Sequence, residues 1–414
     1  MTDTQTTDTT IDAHPPVTDW HNDFDHTDPQ WAADPFPIWD EVRTSSCPIA
    51  HSPRYGGVWL PTTHEDIAAI AYDTDHFTSQ SIIVSEGRPI EPRPIGIAPP
   101  ISSDPPFHHE ARRLLLPAFS PKAMAPLEAV ARAYCHELLD EAEAAMADGE
   151  PIVDAALAYA QHIPVRIIAH MLGFPPEDGD QFRMFVKNAI ETVDLPIETR
   201  IENFGLLDTY LSAQIDDHVA NPRDDLTTYL LNAEIGGEKL APEHVGGTIA
   251  LLLIAGIDTT WSAIGASLFH LASTPADLER LVAEPELLPV AMEELLRAYA
   301  PVTMARLVVD DTDIMGCPMK ANDWVLLPFP SANRDPAFFD RADEVIIDRA
   351  ENRHAAFGLG IHRCAGSNLA RLELRLALEV FLERFPRFEL ADPDAVTWSG
   401  GQVRGPRKLP LRIL

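Results

Sequence analysis

The chain has 414 residues, 45% hydrophobic and 23% charged, the balance of a globular protein long enough for two ordinary domains or one large single-core fold. Acidic side chains outnumber basic ones 64 to 31, leaving a net charge of −33, and such a surface repels nucleic-acid phosphates and anionic lipid headgroups, so neither is an expected partner. Cys47, Cys135, Cys317 and Cys364 are scattered without a CxxC pair, which argues against a disulfide framework or structural zinc and fits a reducing cytoplasm. The first three read as small buried hydrophobes.

The stretch from Met1 to about Thr18, rich in Thr and Asp, lacks a basic n-region followed by an apolar run and reads as a disordered tail ahead of a single domain over 19–414. Trp20 to about Pro100 mixes short helical patterns with alternating segments such as Gly57-Val58-Trp59-Leu60. Within it, the Pro- and Gly-rich stretch Ser79–Ser103, with Ile82, Ile83, Ile95 and Ile97, is a candidate substrate-contacting loop. From about Pro106 to Ala300 the period is helical almost throughout, with breaks near Gly149-Glu150-Pro151, Pro175-Pro176, Asn221-Pro222 and Gly236-Gly237. One long apolar helix is expected from Pro242 to Ser273. Its apolar run, Ile249 to Ile257, is about half of a bilayer span, so no membrane segment is expected. Alternation returns at Ala305–Ile314 and Trp324–Leu327, then come a turn-rich stretch to Gly360 and a last helix from about Ala365 to Arg384. The fold class is mainly α with a smaller β portion.

Three segments carry chemistry. In Phe357-Gly358-Leu359-Gly360-Ile361-His362-Arg363-Cys364-Ala365-Gly366 the cysteine falls where a helix begins. A thiolate there meets free backbone N–H groups and the positive end of the helix dipole. That suits a metal ligand or, with His354 or His362 as base, a nucleophile. In Ala255-Gly256-Ile257-Asp258-Thr259-Thr260, Asp258 and Thr259 are costly in an apolar helix unless paired, and Thr259 can bond back to the Ala255 carbonyl and widen the helix locally. Glu294 and Arg297 sit on adjacent turns of one helix, by default a modest surface pair.

Phe357, Gly358, Gly360, His362, Cys364 and Gly366 match F-G-x-G-x-H-x-C-x-G, and the segment closely resembles the heme-binding loop of the cytochrome P-450 superfamily. The resemblance implies that Cys364 ligates the iron of a heme b and that Phe357 packs near the sulfur. It makes Ala255 to Thr260 similar to the family's oxygen-activation segment, with Ala255 and Gly256 beside the cofactor, Thr259 in oxygen activation and Asp258 in proton relay. Glu294 and Arg297 match the ExxR motif, which joins a later arginine, here Arg349, in structural support of the loop. His108 and Arg112 in Asp104-Pro105-Pro106-Phe107-His108, with Arg306 and His354, match positions that anchor the heme propionates. Two departures stand out: Val345-Ile346 where the family usually has Phe-Asp, and Asn322 where it usually has glycine.

The implied function is a monooxygenase that inserts one atom of O2 into a hydrophobic small molecule. Electrons from NAD(P)H are expected through a separate ferredoxin and ferredoxin reductase, docking on a basic patch of Arg112, Arg113, Lys122, Arg353, Arg363 and Arg371. The pocket is expected from the 79–103 loop, from Leu252, Leu253 and Ala255 to Gly256, and from Val302 and Thr303 to Ala305. A peroxide-driven peroxygenase and a non-catalytic heme sensor are the alternatives; neither would need the Asp258–Thr259 pair.

Overall fold

The structure is a computed structural model and describes residues 14–45, 47, 49–85, 97–146, 149–191, 197–314 and 316–414. Its frame is the helix Pro242–Ser273, which has the predicted bounds. Among the described residues it is the one helix long and apolar enough to cross a bilayer, yet 61% of that window is buried against the rest of the protein, as expected of a core helix. Helices Leu127–Met146, His162–Leu172, Gly179–Ile190, Leu288–Ala298 and Ser367–Arg384 contribute to the same hydrophobic core. Where His162–Leu172 crosses the long helix, a Cβ on Gly256 would stand 3.2 Å from Ile168 Cδ1, so glycine here permits close helix packing.

The β portion lies to one side. A five-stranded sheet runs in the order Ile49–Ser52, Val58–Pro61, Trp324–Pro328, Thr303–Val308, Phe77–Thr78. Because side chains alternate along a strand, its two faces feed separate clusters. Val58, Leu60, Ala305, Leu307, Trp324 and Leu326 pack with Trp31, Trp39 and Val42. Phe77, Val308, Val325 and Leu327 pack with Ile67, Ile70 and Phe329. Asn322 has φ 70°, the left-handed conformation expected where it replaces glycine.

Two expectations need correction. His14 to Val17 were assigned to the tail but belong to the fold: the His14 ring bonds Asp25 at 2.8 Å, and buried Val17 donates its N–H to Asp28 at 3.0 Å. The helical stretch also contains a strand, Ile152–Asp154, paired with Pro410–Ile413 through Val153 and Leu411. Three residues form that strand because a segment about 260 positions away supplies its hydrogen-bond partners.

Candidate active site

The cysteine loop is held from behind by buried charge. Glu294 and Arg297, both fully buried, make two parallel bonds of 2.8 Å. Arg349 joins Glu294 at 2.9 Å, and the Ile346 N–H and Asn352 side chain complete its carboxylate at 2.8 and 3.1 Å. Burial pushes the Glu294 carboxyl up, but these donors, Arg297 first, overcome it and hold it below the usual range. Arg297 also donates to the carbonyls of Asn333 and Ala342, each at 2.8 Å, and of Glu344 at 2.6 Å. The pair, which helix spacing alone would leave as a surface contact and which the resemblance assigns to structural support, holds the irregular stretch from Asn333 to Asn352. The Val345-Ile346 departure leaves this intact because a backbone N–H makes the contact.

The loop itself turns on Gly360, which has φ +70° and so close an approach to the Ala71 carbonyl that a Cβ would stand 2.1 Å from its oxygen. The Cys364 N–H donates to the Phe357 carbonyl at 2.7 Å, and the helix starts at Ser367. Burial raises the thiol, opposed by the Gly366 N–H and by Arg112, Arg371 and Arg363. Cys364 is nevertheless exposed. A residue that is crowded by protein and still accessible lines a recess. Arg371 lies 4.3 Å over the Phe357 ring and binds Glu293 at 2.6 and 2.8 Å.

The second motif lies on the long helix. On it Ala255 is exposed and Leu251 and Thr259, one turn to either side, are half-buried, and Thr259 Oγ1 donates to the Ala255 carbonyl at 3.0 Å, as expected. Asp258 points the other way and is fully buried. Its Oδ1 accepts from Arg407 at 2.7 Å, while Oδ2 has no protein partner. Burial raises this carboxyl to about 6 against the pull of Arg407. Arg407 is bound in turn by Glu191 at 2.5 Å and donates to Ser262 Oγ at 3.1 Å. Neither Arg407 nor Glu191 was singled out in the sequence; only an unpaired mid-helix Asp signalled that a cation must exist.

To one side lies a cluster of donors without an anion. Both ring nitrogens of His108 and Nε2 of His362 are buried without hydrogen-bond partners, and the rings lie 4.4 Å apart. Arg306 is buried, with one carbonyl acceptor, Ala305 O at 2.7 Å. Burial first, then the neighbouring cations, push His108 down to about 4 and His362 to about 2; burial pushes Arg306 down to about 10. Groups so destabilised in the charged form are arranged for a buried anion. Arg112 donates to the Arg363 carbonyl beside them.

Residues 152–397, more than half of the chain, match the family model described as Cytochrome P-450. The chain belongs to the cytochrome P-450 family. Among its relatives, mycinamicin IV hydroxylase/epoxidase of Micromonospora griseorubida is 34% identical over 87% of this chain and 90% of that protein. Nocardicin C N-oxygenase of Nocardia uniformis is 32% identical over 85% and 89%. The crystal structure of a Bacillus megaterium family member in complex with testosterone superposes with TM-score 0.83 and 30% identity, covering 92% of this chain and 98% of that one. This cytochrome P-450 is thus a monooxygenase that uses O2 on a small molecule and carries heme b on a cysteine thiolate. The residues present fit that cofactor: an accessible cysteine crowded by protein, a partly exposed row on the central helix, and a buried cluster of unpartnered donors suited to two carboxylates.

Several sequence assignments change. His354 is not available as an anchor, because Nε2 bonds Glu293 at 2.9 Å and Nδ1 accepts the Ala356 N–H at 3.1 Å; His362 is the histidine in the cluster. Gly256 serves helix packing against Ile168 rather than the cofactor face. Leu252 and Leu253 are buried in the main core, and Leu251 is half-buried. Thr303 is buried, whereas half-buried Val302 and Met304 share the strand face of Arg306. Ile82 is held by the Ala305 N–H at 3.0 Å and, with Ile83, borders Thr303 and Gln402. Ile97 is exposed, with its carbonyl against Gly247 of the long helix; Ile95 lies outside the described residues. In the basic patch, Arg112 and Arg371 are committed internally, while Arg113, Lys122, Arg353 and Arg363 are exposed.

Proposed function

We propose that this chain hydroxylates or similarly oxidises an apolar small molecule in the cytoplasm, with Cys364 as the iron ligand and electrons from NAD(P)H arriving through a ferredoxin and its reductase. The observation that carries the reading is the partly exposed row Leu251, Ala255 and Thr259 on the central helix, backed by a buried acid, Asp258, whose carboxyl sits near 6. When bound, the heme supplies O2 activation and transfer of one oxygen atom, the other leaving as water.

The protein's own residues do the rest. The Gly366 N–H and nearby arginines favour the Cys364 thiolate. His108, Arg112, Arg306 and His362 receive the propionates and regain in charge-assisted bonds what their burial costs. Asp258, with its carboxyl raised to about 6, can take up and release a proton close to physiological pH, and Arg407 fixes the carboxyl through Oδ1. The Thr259 hydroxyl, tied to the Ala255 carbonyl, places a donor on the open face. Val302, Met304 and Leu251 present apolar surface to the substrate. Arg113, Lys122, Arg353 and Arg363 form a local positive face on an acidic protein, which suits an acidic electron donor. One relative named as a mycinamicin IV hydroxylase/epoxidase and another named for polyketide biosynthesis support a small-molecule substrate of that kind.

The test is the spectrum of the reduced, carbon-monoxide-bound protein, followed by turnover with NADH, ferredoxin and ferredoxin reductase on a panel of apolar compounds. A strongly red-shifted Soret band and product from the ferredoxin route are expected. An unshifted band would defeat thiolate ligation, and product from peroxide alone would make the chain a peroxygenase.

A further inference from the structure

The sequence leaves Cys47 and Cys317 as isolated small hydrophobes, but the fold brings them together. Cys317, on the strand Cys317–Met319, is buried in the cluster of Ile49, Ile67, Ile70, Val308 and Met319, and half-buried Cys47 packs against the same cluster. Packed at one cluster, the Cys47 thiol lies near enough to act directly on the Cys317 thiol, and it donates to the Ile49 carbonyl at 3.4 Å. The other two cysteines are engaged elsewhere: Cys135 contacts the Tyr159 hydroxyl, and Cys364 belongs to the active site.

We propose that Cys47 and Cys317 are a redox modification site, closing to a reversible disulfide that ties the segment entering the first strand of the sheet to the hairpin Thr312–Ile314/Cys317–Met319. The oxidant is a small-molecule disulfide of the glutathione type. Cys47, the accessible partner, attacks it as thiolate and forms a mixed disulfide, releasing one glutathione thiol. The Cys317 sulfur then attacks Cys47 sulfur and releases the second. Two protein S–H bonds are exchanged for one S–S bond, and the oxidant is reduced to two thiols that carry the protons away.

The environment sets the rate. Burial pushes the Cys317 thiol up to about 11, and Cys47, Asp313 and Asp66 on the same side act in the same direction. Little Cys317 thiolate exists at neutral pH, so the pair stays reduced through brief aerobic handling and closes slowly under sustained oxidation. Once closed, the bridge spans a loop of about 270 residues, the regime in which cross-links restrict the unfolded chain most.

The heme-loaded full chain would be incubated with glutathione disulfide at mildly alkaline pH, quenched by alkylation and digested without reductant for mass spectrometry. A linked Cys47–Cys317 peptide is expected that disappears with dithiothreitol, together with a melting temperature raised by about 3 °C or more. Cys47→Ser, whose hydroxyl can keep the bond to the Ile49 carbonyl, should fold normally and show neither change; Cys317→Ala is the second control. Recovery of Cys47 as a stable glutathione adduct with Cys317 alkylated, or of both as free thiols, would overturn the proposal.

Discussion

Arg407, the middle residue of the short strand Pro406–Lys408, donates its Nη2 to Asp258 Oδ1 at 2.7 Å, binding the buried acid of the central helix. The same guanidinium lies 4.2 Å over the Trp261 ring and reaches Glu191 at the end of the helix Gly179–Ile190. One cation is therefore shared between the buried acid of the central helix and an acid at the end of a neighbouring helix. Its removal leaves a buried carboxyl with no counter-charge.

Arg407→Gln is accordingly expected to move the Asp258 titration above its value of about 6, because burial then acts unopposed. A protonated donor persists to higher pH, so the alkaline fall in proton-dependent turnover shifts upward, and Asp258→Asn flattens it. Infrared titration of the carboxyl band, with Asp258→Asn as the blank, measures this directly. The sign for stability follows: a carboxyl raised in the folded state favours folding at low pH and loses that advantage as pH rises through about 6. Asp258→Asn should therefore melt no lower than the wild type at pH 8.

Thr259→Ala removes a hydroxyl held at 3.0 Å from the Ala255 carbonyl and nothing from the core. Heme content and the carbon-monoxide spectrum should be unchanged, while product per NADH falls by roughly tenfold and peroxide accumulates. Unchanged coupling would remove Thr259 from proton delivery.

Arg297→Ala removes one of the two guanidinium partners of a fully buried carboxylate, leaving only Arg349, and takes the Arg297 donor from three carbonyls. The expected loss is about 3–5 kcal/mol, read as lowered unfolding midpoint and heme-poor protein. Lysine at this position cannot restore the parallel bonds to Glu294 and should rescue little.

His362→Gln and His354→Gln separate the two histidines flanking the loop. If His362 faces the propionates, its loss speeds heme transfer to an apoprotein acceptor by roughly tenfold, whereas His354→Gln acts through Glu293 and leaves the transfer rate within about twofold. Equal effects would mean that the cluster does not bind the propionates as a unit.

The motif residues were legible because they are local. Cys364 with its glycines, the Asp258–Thr259 step and the Glu294–Arg297 spacing each sit on one element, where helix period and turn geometry dictate placement. The chain also announced its mainly α class and the bounds of the central helix, since an apolar period over 32 residues leaves little choice. What the sequence could not determine was partnership across elements. His354 and His362 both lie near Cys364 in the chain, and only the fold shows that Glu293 occupies the first and leaves the second among Arg306 and His108. Arg407 reaches Asp258 from 149 positions away, Ile152–Asp154 becomes a strand through Pro410–Ile413, and Cys47 meets Cys317 across the β portion. Such contacts arise from how elements pack, and buried charges and thiols take whichever partner that packing delivers.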